Sequence, residues 1–146
     1  MSDFNSLDEA MTAGAARAVE LAGESKVLLD YSVESIEVVE QQLARLHNQI
    51  PKGFFARLIK KAPSESEIKL MSYTFGAYIA EVLKRQFGGV WSNESKLHPG
   101  QEIPTFHLGG SGGEIWPQIK VEKRLRNGEE DNVWHYFQYL KQRQAQ

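Results

Sequence analysis

The chain contains no cysteine. That excludes disulfide frameworks, thiolate zinc sites and cysteine nucleophiles together. No apolar run approaches the roughly 18 residues of a membrane-spanning helix. The opening MSDFNSLDEA is acidic and lacks the basic-then-apolar order of a cleaved secretion signal, so a cytoplasmic protein is expected. Catalytic signatures are missing as well. There is no G-x-S-x-G elbow. The glycine-rich GGSGG at 109–113 lacks the lysine and Ser/Thr of a phosphate loop, and reads as a hairpin turn. His47, His98, His107 and His135 are nowhere three or four residues apart, so no helical metal pair exists. A metal site would need His98 and His107 to meet across a meander, with Glu102 or Glu114 completing it. The acid run Glu129, Glu130 and Asp131 suits a helix start better than catalysis. No catalytic residue, metal ligand or cofactor is assigned.

Charge of one sign is also lacking. The net charge is −2, with 41% apolar and 25% charged residues, as in an ordinary folded domain. Residues 1–50 carry nine acids against three bases, and the remainder is mildly basic. Neither sign dominates enough to make nucleic acid or an anionic membrane the expected partner. With 146 residues, residues 1–146 form a single domain with one real core.

Ser64 to Trp91 is the stretch around which the chain is organised. Pro63 precedes Ser64, and Ser64 with Glu67 forms a capping box. Ile68, Met71, Phe75, Tyr78, Ile79, Val82, Leu83 and Phe87 then recur at helical spacing. Lys84 and Arg85 suit the last turn, and Gly88 closes it. Gly76, Ala77 and Ala80 leave room for another element to approach closely.

Before this helix, residues 5–22 predict an alanine-rich helix whose small side chains bury little area, so residues 1–25 are expected to pack loosely or on a partner. The apolar 27–29 predicts a short strand or extended segment. Ser32 is the expected cap of a second helix with Ile36, Val39, Leu43, Leu46 and Ile50 inward, and Glu37, Glu40 and Gln41 facing water. Pro51 stops it. The basic, amphipathic KGFFARLIKKA at 52–62 reads as a short connector, or else as a surface-binding helix.

After the central helix, strands are expected at 90–93 and 100–108, and from 114 onward. Pro117 to Asn127 predicts a helix, and Val133, Phe137 and Leu140 share the face of a last one with a frayed tail at 141–146. The expected fold is α+β: helices around one long central helix, about 64–87, packed on a small antiparallel β-meander, about 89–117.

Trp91 and Trp116 lie near strand ends, where tryptophan either packs or anchors a partner. His107 sits between them in sequence. Lys120, Lys123, Arg124 and Arg126 cluster downstream, as a solvated helix face or as a patch for an anion or acidic partner. Trp91, His107, Trp116, Lys120 and Arg124 are the candidate binding residues.

Three segments carry a resemblance: LDYSVESIEVVE at 29–40, FGAYIAEVLKRQFGGVW at 75–91 and IWPQIKVEKRLRNGEEDNVWHYF at 115–137. Together they resemble a family of small, mostly bacterial α+β proteins of uncharacterised function. The match spans about residues 28–140 and omits 1–25, 51–62 and the GGSGG turn. It implies an α+β fold and no established activity. The expectation is a non-catalytic protein-binding module of immunity, accessory or regulatory type, with another protein as partner, engaged through Trp91 and the acids Glu37 and Glu40. The alternative is a small-ligand-binding protein or enzyme with a cleft near the meander.

Overall fold

Ser64 starts the central element as its sequence demands. In the computed structural model, which describes residues 6–50, 63–110 and 113–145, Glu67 N donates to Ser64 Oγ and Ser64 N donates back to Glu67 Oε1. Helix α3 (Glu65–Phe87) follows and ends at Gly88, whose φ of 78° is open to glycine at no steric cost. Residues 74–80 are buried all round, the mark of a helix that runs through a core rather than along it. Tyr78, Ile79, Val82 and Leu83 are almost completely enclosed. Each such side chain stabilises the fold by about 1.5–3 kcal/mol relative to exposure.

Helix α1 (Leu7–Glu24) lies along α3 and buries Met11, Ala15, Ala18 and Ala22. Its small residues bring the two backbones close: a Cβ on Gly14 would stand 3.0 Å from the Tyr73 ring. Helix α2 (Ser35–Gln49) packs on α4 (Pro117–Asn127) and α5 (Val133–Gln144). Residues 27–29 form no strand. They join no ladder, with Leu29 buried and Leu28 79% exposed. Ser32 caps less directly than its sequence position implies. Its Oγ accepts from Ser35 N, but α2 begins only at Ser35, after a turn through 32–34.

Strands β1 (Gly89–Ser92), β2 (Thr105–Leu108) and β3 (Glu114–Ile115) form one antiparallel sheet in the order β1-β2-β3. Trp91 pairs with Phe106, and Phe106 pairs with Ile115, which puts these three on the core face. Val90, His107 and Glu114 form the outward row. The second strand is shorter than expected, because 100–104 stay outside the ladder. The free edge of β1 is covered locally: Trp91 N donates to Asp8 Oδ1 at the start of α1. Glu129–Asp131 makes one 3-10 turn before α5. No described helix is long and apolar enough to cross a membrane. The basic segment 52–62 and the centre of the GGSGG turn lie outside the described residues.

Candidate interaction surface

The five expected binding residues fall in separate places. Trp91 is 8% exposed and packs edge-on to Phe106 at 5.5 Å. Trp116 is half-buried; its Nε1 donates to Thr105 Oγ1, and the His98 ring stands edge-on to it at 5.3 Å. His107 lies on the outward face of β2, against Glu114 and the backbone of Glu94. Lys120 pairs with Asp131 at 3.1 Å and lies 5.2 Å from the Tyr136 ring. Arg124 stands two turns along α4 from Trp116, about 12 Å at 1.5 Å per residue.

Arg124 and Glu40 do not face water. Arg124 is 2% exposed and Glu40 is 7% exposed. Arg124 Nε donates to Glu40 Oε1 and Nη2 to Glu40 Oε2, both at 2.8 Å. Glu40 Oε1 also accepts from Val133 N at the first turn of α5. The forked pair therefore fastens α2, α4 and α5 together, and holds the Arg124 guanidinium above its ordinary pKa, chiefly through the Glu40 bond. Glu37 and Gln41 are exposed as expected. The reason Glu40 differs is its position: it lies four residues from Ile36 and three from Leu43, within the apolar stripe itself.

A group of exposed apolar side chains lies elsewhere, between α3 and α4. At its N-terminal half α3 emerges from the interior and presents Leu70, 41% exposed, and Tyr73, 38% exposed. Helix α4 runs antiparallel beside it and presents Ile119, 46% exposed. These side chains, with Lys69, Gln118 and Glu122, line an open groove of about 480 Å³. The helices approach closely because α3 carries Gly76, where a Cβ would stand 2.5 Å from Gln118 Cα. Gln118 Nε2 donates to Tyr73 O and locks the contact. Tyr73 Oη donates to Ala10 O, which fixes its ring on α1.

A charged network rims one end. Lys69 pairs with Glu122 at 2.9 Å, Arg126 with Glu122 at 3.0 Å, and Arg126 with Glu65 at 2.7 Å. Lys69, foremost, together with Arg126 holds the Glu122 carboxyl below its ordinary range despite partial burial. Exposed pairs of this kind contribute at most about 1 kcal/mol each. Leu70 and Tyr73 are three apart on the side of α3 away from its core stripe, and that was the sequence signal for the groove.

A second hollow, also about 480 Å³, is formed by the β1–β2 connection and lined by the polar residues Asn93, Glu94, Ser95, Gln101 and Glu102 with Pro99 and Gly100. Among the described residues no three acids and histidines gather to hold a metal ion. The Leu-Asp-Tyr-Ser segment makes a tight turn. Tyr31 takes a left-handed φ of 64°, its N–H donates to Tyr78 Oη at 2.8 Å, and the Arg85 guanidinium lies 3.8 Å above its ring. With Ser35 Oγ 2.7 Å from Tyr78 Oη, this turn ties the start of α2 to α3.

Fold and surface together define a small α+β domain with a helical core, a three-stranded meander and an apolar interhelical groove. The chain matches no family model, no curated protein and no solved structure.

Proposed function

We propose that this domain is a non-catalytic protein-binding module, of the accessory, regulatory or immunity kind, and that the α3–α4 groove receives its partner. The observation that carries this reading is the triplet Leu70, Tyr73 and Ile119. Three large apolar side chains are exposed together on a rigid helical scaffold, with a charged network at one end of the groove. An apolar centre with a polar rim is the anatomy of a protein interface. A groove between two helices fits the apolar face of a partner helix. Neither Trp91 nor the Glu40–Arg124 pair is offered to a partner, because both are occupied inside the core.

The test compares the wild-type chain with a Leu70→Asp, Ile119→Asp variant in pull-downs from the source organism. Both positions are exposed, so the variant should melt within about 2–4 °C of wild type. A stoichiometric protein retained by the wild type and lost from the variant is the expected result. Equal retention by both, or no retained protein, would overturn the groove. In the latter case a ligand-induced rise in melting temperature, mapped to the polar hollow by Gln101 and Glu102 substitutions, would replace it.

A further inference from the structure

The outward row of the meander holds an arrangement that the partner-binding reading does not use. Val90 faces His107 across β1 and β2, and His107 faces Glu114 across β2 and β3. The β1–β2 connection folds back over this row. Its anchor is Glu114, which accepts from Ser95 Oγ at 3.1 Å, Lys96 N at 2.7 Å and Leu97 N at 3.0 Å. Only 7% of the Glu114 side chain is exposed.

His107 reaches the same connection from β2. Its Nε2 lies 3.0 Å from the Glu94 carbonyl oxygen. A carbonyl only accepts, so Nε2 must carry the hydrogen. In the neutral ring Nδ1 is then a bare lone pair, and it lies 3.9 Å from a Glu114 carboxylate oxygen. Lone pair and carboxylate repel. A proton on Nδ1 reverses the sign of that contact and leaves the Nε2 bond in place.

We infer that His107 is a pH-sensitive latch: its protonation joins Glu94 on the connection to Glu114 on β3 and tightens the β1–β2 connection over the sheet. The connection forms the polar hollow, so the shape of that hollow follows pH. Few side chains change charge in the mildly acidic range, and histidine is the one that does so in its ordinary state. The other charged groups nearby are Glu94, Lys96 and Glu102, all exposed, and His98 against Trp116. A charge on His98 also favours the Trp116 ring, so it acts in the same sense and must be separated by experiment.

The experiment is amide hydrogen exchange at Lys96 and Leu97, the two backbone donors to Glu114, on the whole chain between about pH 8 and pH 5. Rates are corrected for the intrinsic pH dependence of exchange. Protection in the wild type is expected to rise about threefold on acidification, as suits a partly exposed charge pair. His98→Gln should keep at least half of that rise, His107→Gln should abolish it, and Glu114→Gln should lower protection at every pH. In the wild type alone, about 1 M salt should suppress the rise. Flat wild-type protection, a salt-insensitive rise, or an undiminished rise in His107→Gln would overturn the latch.

Discussion

Glu40 and Arg124 show how far a single residue's position outweighs its type. Both are charged, and both occupy helix faces otherwise made of Ile36, Leu43, Val121 and Leu125. Two buried ions pair in forked geometry, and Arg124 Nη1 alone, among the buried side-chain nitrogen and oxygen atoms of the described residues, lacks a hydrogen-bond partner. Removing Arg124 leaves Glu40 buried without a counter-charge, and removing Glu40 leaves Arg124 only the exposed Glu129 carboxylate at 3.4 Å. Glu40→Leu or Arg124→Leu alone should therefore destabilise the fold by about 3–5 kcal/mol in urea unfolding. The double variant should cost clearly less than the two singles added, since neither orphan charge remains. Its recovery should stay incomplete, because Val133 N also donates to Glu40. Additive losses would show that the pair is not one unit. The clue was present in the sequence: an acid on one apolar stripe and a base on another. Periodicity identified the stripes, but which stripe meets which is a property of the assembled helices.

At the scale of elements, glycine spacing decides how α3 meets its neighbours. Alanine at Gly76 gains up to about 1 kcal/mol of helix propensity. Its Cβ would stand 2.5 Å from Gln118 Cα and 2.7 Å from Gln118 N, which are backbone atoms that cannot swing aside. Overpacking of this kind costs about 1–3 kcal/mol, so it wins. Gly76→Ala should lower stability by about 1–2 kcal/mol, and it should loosen the α3–α4 groove. Gly23 in α1 is the control, with nothing within 4 Å of its added Cβ. There the propensity term acts alone, and Gly23→Ala should raise stability by about 0.5–1 kcal/mol. Thermal melts of both variants check the pair; a stabilised Gly76→Ala would mean the helices are free to separate. The close approach at Gly76 was legible as a gap in the apolar stripe. That α4 fills it was not, since any small element would fit.

For the whole molecule, pH bounds the stable range from both sides. Burial alone would raise the Glu114 and Asp131 carboxyls. For Glu114 the bonds from Lys96 N, Leu97 N and Ser95 Oγ outweigh burial; for Asp131 those from Asn127 and Lys120 do so. Both are held below their ordinary values, as is Glu122 through Lys69 and Arg126. A depressed carboxyl stabilises the fold above its unfolded value, near 4.5 for Glu and 3.8 for Asp, and that stability is lost as pH falls further. Burial pushes the Tyr136 hydroxyl up to about 12 from 10.0. Its contribution is present below pH 10.0 and is lost as pH rises toward about 12. Melting temperature should thus fall below about pH 4.5 and again above about pH 10. Glu122→Gln should blunt the acid arm; an acid arm unchanged in that variant would place the sensitive carboxyl elsewhere.

The α+β class, the central helix with its capping box and the order of strands and helices were determined by the sequence itself. Each rests on local signals: a period of 3.6, a Ser-x-x-Glu start, glycine at a helix end, alternation in short strands. Those signals act over a few residues and need no partner. What tertiary structure alone decided was burial and juxtaposition. It enclosed Trp91 and Arg124, withdrew Glu40 from water, exposed Leu70, Tyr73 and Ile119 in one groove, and set His107 between Glu94 and Glu114. These outcomes depend on contacts between residues that are not neighbours in the chain, such as Glu40 and Arg124, which lie 84 positions apart. A side chain's own pattern says which face it lies on. Only the packed neighbours say whether that face meets water, a partner or the core.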